Sequence, residues 1–320
     1  GYTGSRALHL VQQTLGNVRR WEGFPDNPTG PKFFPAGAPL LNPAFGEMRI
    51  QSPNGNSFYH GLQVGASKRL SHGVQMQLAY NYSHVIDQGS GVTQSGEALP
   101  QGQRGVYYWD TYMKRGPAAF DIKHTFTTNF SYEPPFGQNL TGLAGVLGKG
   151  WQLNGVLTLI GGHPLTVFDD ENDAQIARIG DTENIRANLI PGGNNNPTDG
   201  VAGACAGLRA GAKLGTPDIW YDPCQFTAPT TGFFGNLGPG TVRSPGLATV
   251  DFSVFKNFNV SETNQVQFRA EFFNFFNRVN LHTPDMDAFN ATGQYDPNAG
   301  IIELTRTPAR QIQFALKYIF

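Results

Sequence analysis

The side chains able to do chemistry are few and scattered. Asp169-Asp170-Glu171-Asn172-Asp173 gathers carboxylate oxygens of the kind a hard cation needs. It lacks the spaced ligands and central turning glycine of a calcium loop, so a solvated acidic loop is the preferred reading. His9, His60, His72, His84, His124, His163 and His282 show no spacing that sets two ligands on one helix turn or short loop, and no metal site is expected. Ser, His and Asp all occur, but no nucleophile elbow does. Gly232 to Gly240 is glycine-rich without the strand-to-helix setting of a phosphate cradle. The expectation is a protein that is not an enzyme and holds no cofactor. A formal net charge of −1 gives no reason to expect nucleic acid as a partner.

Three other groups of residues stand out. Cys205 and Cys224 fall in one long irregular stretch. A disulfide between them would fit an oxidising compartment and stabilise the loop by roughly 3 kcal/mol, and two free thiols are the alternative. The loop aromatics Tyr107, Tyr108, Trp109, Trp220, Tyr221, Phe233 and Phe234 are the candidates for ligand contact, with packing of loop on loop as the alternative. Asp251, Arg269 and Glu271 are charges on the wet face of two strands. Pairing Phe252 with Phe268 sets Asp251 opposite Arg269, and an ion pair within the wall is preferred to a substrate site. Lys123 and Lys317 read as solvated charges on the same face.

These groups need a frame, and the frame is alternation. Side chains of a strand point to opposite faces in turn. Phe58, His60, Leu62, Val64, Ala66 and Leu70 alternate with Tyr59, Gly61, Gln63, Gly65, Ser67 and Arg69. Val74, Met76, Leu78, Tyr80 and Tyr82 alternate with Gln75, Gln77, Ala79, Asn81 and Ser83. A three-residue loop, Ser71-His72-Gly73, pairs Leu70 with Val74, Ala66 with Leu78 and Leu62 with Tyr82, keeping apolar against apolar. That register also makes His60 and His84 cross-strand neighbours. The same pattern recurs in residues 122–132, 151–159, 250–255, 266–277 and 312–320, with a further short strand near residues 2–11. Gly 40 and Pro 22 oppose long helices, and no apolar run is long enough for a transmembrane helix.

Connections alternate between long (about 14–47, 88–119, 169–240 and 280–306) and short (71–73, 134–148 and 258–263). Long outside loops and short periplasmic turns are the asymmetry of outer-membrane barrels. Tyr132, Trp151, Phe258, Tyr318 and Phe320 fall at the short-turn end, where interfacial aromatics belong. The chain therefore reads as all-β: an antiparallel up-and-down transmembrane β-barrel segment of about eight strands, with the outer-membrane lipid as a partner. No secretory signal precedes Gly1, so this reading expects a fragment or a processed chain. About eight strands either close by themselves or stay an open curved sheet with bare edges.

Gln267-Phe-Arg-Ala-Glu-Phe-Phe-Asn-Phe-Phe-Asn277, Arg243-Ser-Pro-Gly and Asp251-Phe-Ser-Val-Phe-Lys-Asn-Phe258 resemble the terminal barrel strands of TonB-dependent receptors. Ser57-Phe-Tyr-His-Gly-Leu-Gln63, Tyr80-Asn-Tyr-Ser-His84, Gly162-His-Pro164 and Arg310-Gln-Ile-Gln-Phe314 are similar to the Oar-like subgroup, which carries a carboxypeptidase-regulatory-like domain. The resemblance implies the C-terminal part of a Gram-negative outer-membrane barrel of about 22 strands. It implies energised uptake through TonB, with the plug lying outside this sequence. It also implies that Tyr318 and Phe320 form the end read by the barrel assembly machinery. Two other readings remain: a passive eight-stranded outer-membrane structural or adhesin protein, and a secreted β-sandwich binding module. The substrate is not encoded in any of these features.

Overall fold

The computed structural model describes residues 1–22, 33–46, 48–88, 115–169, 185–205, 209–261, 263–290 and 292–320. Eight long strands carry the chain: β1 Tyr2–Leu15, β2 Arg49–Ser71, β3 Val74–Asp87, β4 His124–Tyr132, β5 Trp151–Ile160, β6 Leu247–Asn259, β7 Gln265–Phe273 and β8 Gln311–Ile319. Each pairs antiparallel with the next in sequence, and the pair Gly116–Pro117 adds a short strand to β3. The sheet is open, with β1 at one edge and β8 at the other.

Alternation sorts the side chains as the sequence requires. The row Leu62, Tyr82, His124 and the row Ala66, Leu78, Thr128, Leu157, Val250 run across neighbouring strands on one face. That face continues through Phe252, Phe272 and Ile312 to the β8 edge. Many of its large apolar groups are exposed, including Val64, Met76, Phe130, Phe268, Phe314 and Leu316. The opposite face carries Gln77, Asn129, Asn154, Ser253 and Glu271. Gly155 lies directly across from Phe130, whose ring covers the place a Cβ would occupy. The glycine makes room for an aromatic ring on the apolar face.

Three details depart from the sequence reading. The β2–β3 body register holds, with Leu62 against Tyr82, Ala66 against Leu78 and His60 against His84. The turn does not: Ser71 pairs with Val74, and the register shifts between Lys68 and Ser71. His72 and Gly73 both take positive φ, 51° and 75°, as a two-residue type I′ turn requires. A bulge absorbs the odd residue, so the apolar faces still match. Next, β2 begins at Arg49 rather than Phe58, and β1 reaches Leu15. Arg49 to Ser57 has no apolar alternation, so nothing in its pattern marks it as strand. Finally, β7 stops at Phe273 because Asn274 and Asn277 turn with φ of 49° and 50°, which asparagine tolerates.

The long connections are built structures with their own core. Leu165, Val167, Tyr221, Phe226, Val242 and Phe289 are buried together with Ala187, Leu237, Met286 and Ala288, joining the β5–β6 and β7–β8 connections. The β1–β2 connection joins them: Phe33 packs on Phe233 at 5.1 Å, Phe34 on Phe234 at 6.0 Å, and the Phe34 amide donates to the Gly232 carbonyl at 2.9 Å. Together they form a cap at one end of the sheet. At the opposite end lie the β2–β3 turn, the β6–β7 turn and the β4–β5 connection, which contains helix α1, Gly142–Gly148.

Candidate functional site

The polar face holds the charges singled out in the sequence, in an arrangement different from the expected one. Phe252 pairs with Phe272, not Phe268, so Asp251 does not face Arg269. The β6–β7 turn decides this. Asn259 pairs with Gln265, and Ser261 Oγ accepts from the Asn264 amide at 3.1 Å, closing a turn that displaces β7 along β6. Asp251 instead accepts the Asn274 amide at 2.8 Å and fixes the end of β7. Phe255 stands opposite Arg269, whose guanidinium lies 4.8 Å from the ring centroid, while Arg269 Nε donates to Gln267 Oε1 at 2.6 Å. Glu271 lies across from Ser253 and Gln313, and its carboxylate makes no hydrogen bond or ion pair among the described residues. A hollow of about 320 Å³ opens here, lined by Asn129, Ser131, Asn154, Asp251, Ser253 and Glu271. Its lining sets the carboxylates of Asp251 and Glu271 beside the apolar Phe130, Val156, Phe252 and Phe273. Nothing in it resembles a nucleophile with its base.

The cap accounts for the loop aromatics that can be placed. Tyr221 is fully buried, so its ring is core, and burial with Asp285, Asp287 and Asp296 nearby pushes its hydroxyl well above the usual range. A buried ring cannot meet a ligand unless the cap opens. Trp220 is partly buried and donates Nε1 to the Arg243 carbonyl at 2.7 Å. Phe233 and Phe234 hold the β1–β2 connection. Tyr107, Tyr108 and Trp109 lie outside the described residues, as do Asp170 to Asp173. Asp169 is buried at a two-residue strand pair with Ile185–Arg186. No cluster of His, Cys, Asp or Glu suited to a metal occurs among the described residues. Cys205 and Cys224 form a disulfide that ties Cys205 to the 3-10 turn at Pro223–Gln225.

Two polar constellations that sequence reasoning missed join cap to strands. Asp121, fully buried, accepts Arg243 Nη2 at 2.7 Å, the Val85 amide at 2.8 Å and His84 Nδ1 at 3.1 Å. Arg243 Nη1 also donates to the Asp121 carbonyl at 2.7 Å. Asp121 and Arg243 lie far apart in the chain, and the Arg243-Ser-Pro-Gly stretch says nothing of a carboxylate partner, so no sequence signal joins them. Beside them is a hollow of about 300 Å³ lined by His163, Ser244, Pro245, Leu281, His282, Thr283 and Arg306. His163 Nδ1 lies 2.9 Å from Ser244 Oγ. Burial, helped by the charges of Arg306, His282 and Arg243, lowers the His163 pKa to about 4. This hollow lies at the junction of cap and strand ends and has no acidic residue in its lining.

At the other end, Tyr132, Trp151, Phe258 and Tyr318 all sit beside the connections, and the rings of Tyr318 and Phe320 stack at 5.8 Å. The Tyr318 hydroxyl donates to Asn264 Oδ1 in the β6–β7 turn at 2.9 Å. The picture is a wall with one apolar and one polar face, a folded cap at one end and an aromatic rim at the other. Comparison with known proteins agrees with it. The family model described as outer membrane beta barrel domain matches residues 1–313. No curated protein matches the chain.

Proposed function

The chain belongs to the outer membrane beta barrel domain family and lies in the outer membrane, and from that premise we propose that it is the receptor wall of a TonB-dependent transporter. The observation that carries the proposal is the open sheet whose two long edges, β1 and β8, pair with no further strand among the described residues. Unpaired backbone groups cost several kcal/mol each in hydrocarbon, so both edges call for partner strands, as in a larger barrel. The resemblance of residues 243–277 to the terminal strands of such receptors supports the same reading. The cap gathers substrate at the outer surface, and the polar face, with Glu271 and Arg269 among its charges, lines the route inward once a plug moves. TonB and the barrel assembly machinery are the proposed protein partners, the latter at Tyr318 and Phe320. No catalytic step is assigned to any residue.

The test is in-cell crosslinking of the intact protein to TonB, combined with growth on scarce nutrients in strains lacking either protein. The proposal expects a TonB crosslink and the same nutrient defect in both strains. Absence of the crosslink, with a surface-attachment defect that is independent of TonB, would instead support the passive structural or adhesin reading. That second reading draws on the cap, whose packed core presents a fixed outer surface.

A further inference from the structure

The connection between β4 and β5 is too elaborate for a turn. The β2–β3 turn reverses the chain with His72 and Gly73, yet residues 133–150 spend a whole excursion on the same task. From Pro134 to Gly150 the only charged residue is Lys149. Within this stretch Phe136, Leu140, Leu143, Val146 and Leu147 are all exposed, with Leu143 at 76%. Helix α1 is seven residues long and includes Gly142, Gly145 and Gly148, and its Thr141 N-cap makes no side-chain bond. A helix so short and glycine-rich has little stability of its own in water. Its apolar surface needs a cover.

The neighbours of α1 say what covers it. The C-terminal end of the helix is bound to side chains from the apolar face of the wall. Trp151 Nε1 donates to the Leu147 carbonyl at 2.9 Å, and Lys256 Nζ donates to the Lys149 carbonyl. Trp151 and Lys256 are cross-strand partners on the face that also carries Leu153, Val254 and Phe268. Lys256 is buried to 3% exposure between the rings of Trp151 and Phe258, with its ammonium 5.3 and 5.1 Å from their centroids. A lysine on the lipid side is costly at mid-bilayer but tolerated at the edge, where tryptophan also concentrates. The Trp151–Lys256 pair therefore marks the level of the membrane interface, and it is the point to which α1 is fastened.

We propose that residues 136–148 form an in-plane membrane anchor on the outside of the wall, with Phe136, Leu143, Val146 and Leu147 inserted among the phospholipids at the short-turn end. The occupant is lipid because the patch is continuous with the lipid-facing band of β5 and β6, and because it carries no charge to greet a protein partner. Lys256 serves as the fastener, satisfying a carbonyl at the end of the helix.

Spin labelling tests this on the intact protein in phospholipid vesicles. Cys205 and Cys224 are bridged, so a cysteine introduced by Leu143→Cys or Val146→Cys is the only free thiol among the described residues. Nitroxides there should favour collision with oxygen over a water-soluble nickel chelate, several-fold more than a label from Gln77→Cys on the polar face and close to one from Phe314→Cys. Labels at 143 and 146 that favour the nickel chelate as the Gln77→Cys label does would overturn the proposal, because water or a missing protein partner would then face the patch. Labels accessible to neither reagent would overturn it as well, showing the patch packed on the protein itself. Lys256→Met should lower the oxygen preference at 143 while leaving it unchanged at 314; an equal fall at both sites would point to loss of the fold instead.

Discussion

Asp121→Asn isolates the link between cap and wall. Asp121 is fully buried and Arg243 is only 20% exposed, so their 2.7 Å contact is shielded from solvent on both sides. The substitution keeps the shape and leaves an oxygen for the Val85 amide, but removes the charge facing the guanidinium. A hydrogen bond to a charged group is worth roughly 1.5–3 kcal/mol. Arg243 keeps the Asp121 carbonyl as an acceptor, so a loss of about 2 kcal/mol follows, or about thirtyfold in the population of the undocked cap. Hydrogen exchange followed by mass spectrometry reads this directly. Exchange should rise around residues 162–166 and 242–244, where Val242 pairs with Leu165, while β6 below Val250 stays protected. Arg243→Met should be worse, about 3 kcal/mol, because it leaves a buried carboxylate with only the His84 imidazole and the Val85 amide as partners. Combining the two should cost less than their sum. Unchanged exchange at 242–244, or a loss spread evenly along β6, would refute the reasoning.

Other expectations follow from single features. Replacing Cys205 and Cys224 together by serine should cost the cap about 3 kcal/mol for a closed loop of this size, with protease cleavage appearing between residues 190 and 225 while the strands stay intact. Gly155→Val should destabilise by about 1–3 kcal/mol, since a side chain there meets the Phe130 ring, and urea unfolding in vesicles should show Phe130→Ala restoring part of that loss. His163 takes a proton at about pH 4 in the folded protein against 6.5 in its absence, so cap stability should fall as pH drops from 6.5 to 4 and remain level above that window. His163→Gln should flatten that profile in a pH series of cap exchange; an identical slope in the variant would contradict the assignment.

The strands were legible where one face meets an apolar medium and the other water, because only then does the sequence alternate. Phe58 to Asp87 shows it most clearly. Arg49 to Ser57 is equally a strand, but polar on both sides, and its pattern carries no such mark. Apolar matching settles which face a residue takes, not how far along its neighbour it sits. Pairing Phe252 with Phe268 or with Phe272 satisfies it equally, and the Ser261 turn chooses the second. Asp251 therefore binds the Asn274 amide rather than facing Arg269. The bulge beside Ser71 teaches the same lesson from the other direction, since a local irregularity rescues a register that the turn length alone would forbid. The cap was illegible for a different reason. Its core joins Leu165, Tyr221, Val242 and Phe289 through irregular backbone, with no period to connect them. An aromatic cluster in such a loop reads as exposed until the partners that bury it are known.

Alternate residues of one strand face lipid and water, and β3 offers the plainest place to see it. Residues 76 to 81 are replaced one at a time by cysteine in the intact protein, labelled with an environment-sensitive fluorophore and reconstituted with brominated phospholipid. Labels at Met76, Leu78 and Tyr80 should be quenched by the brominated chains, while those at Gln77, Ala79 and Asn81 should be quenched only by iodide from the aqueous phase. Uniform quenching by iodide at all six positions would contradict the account.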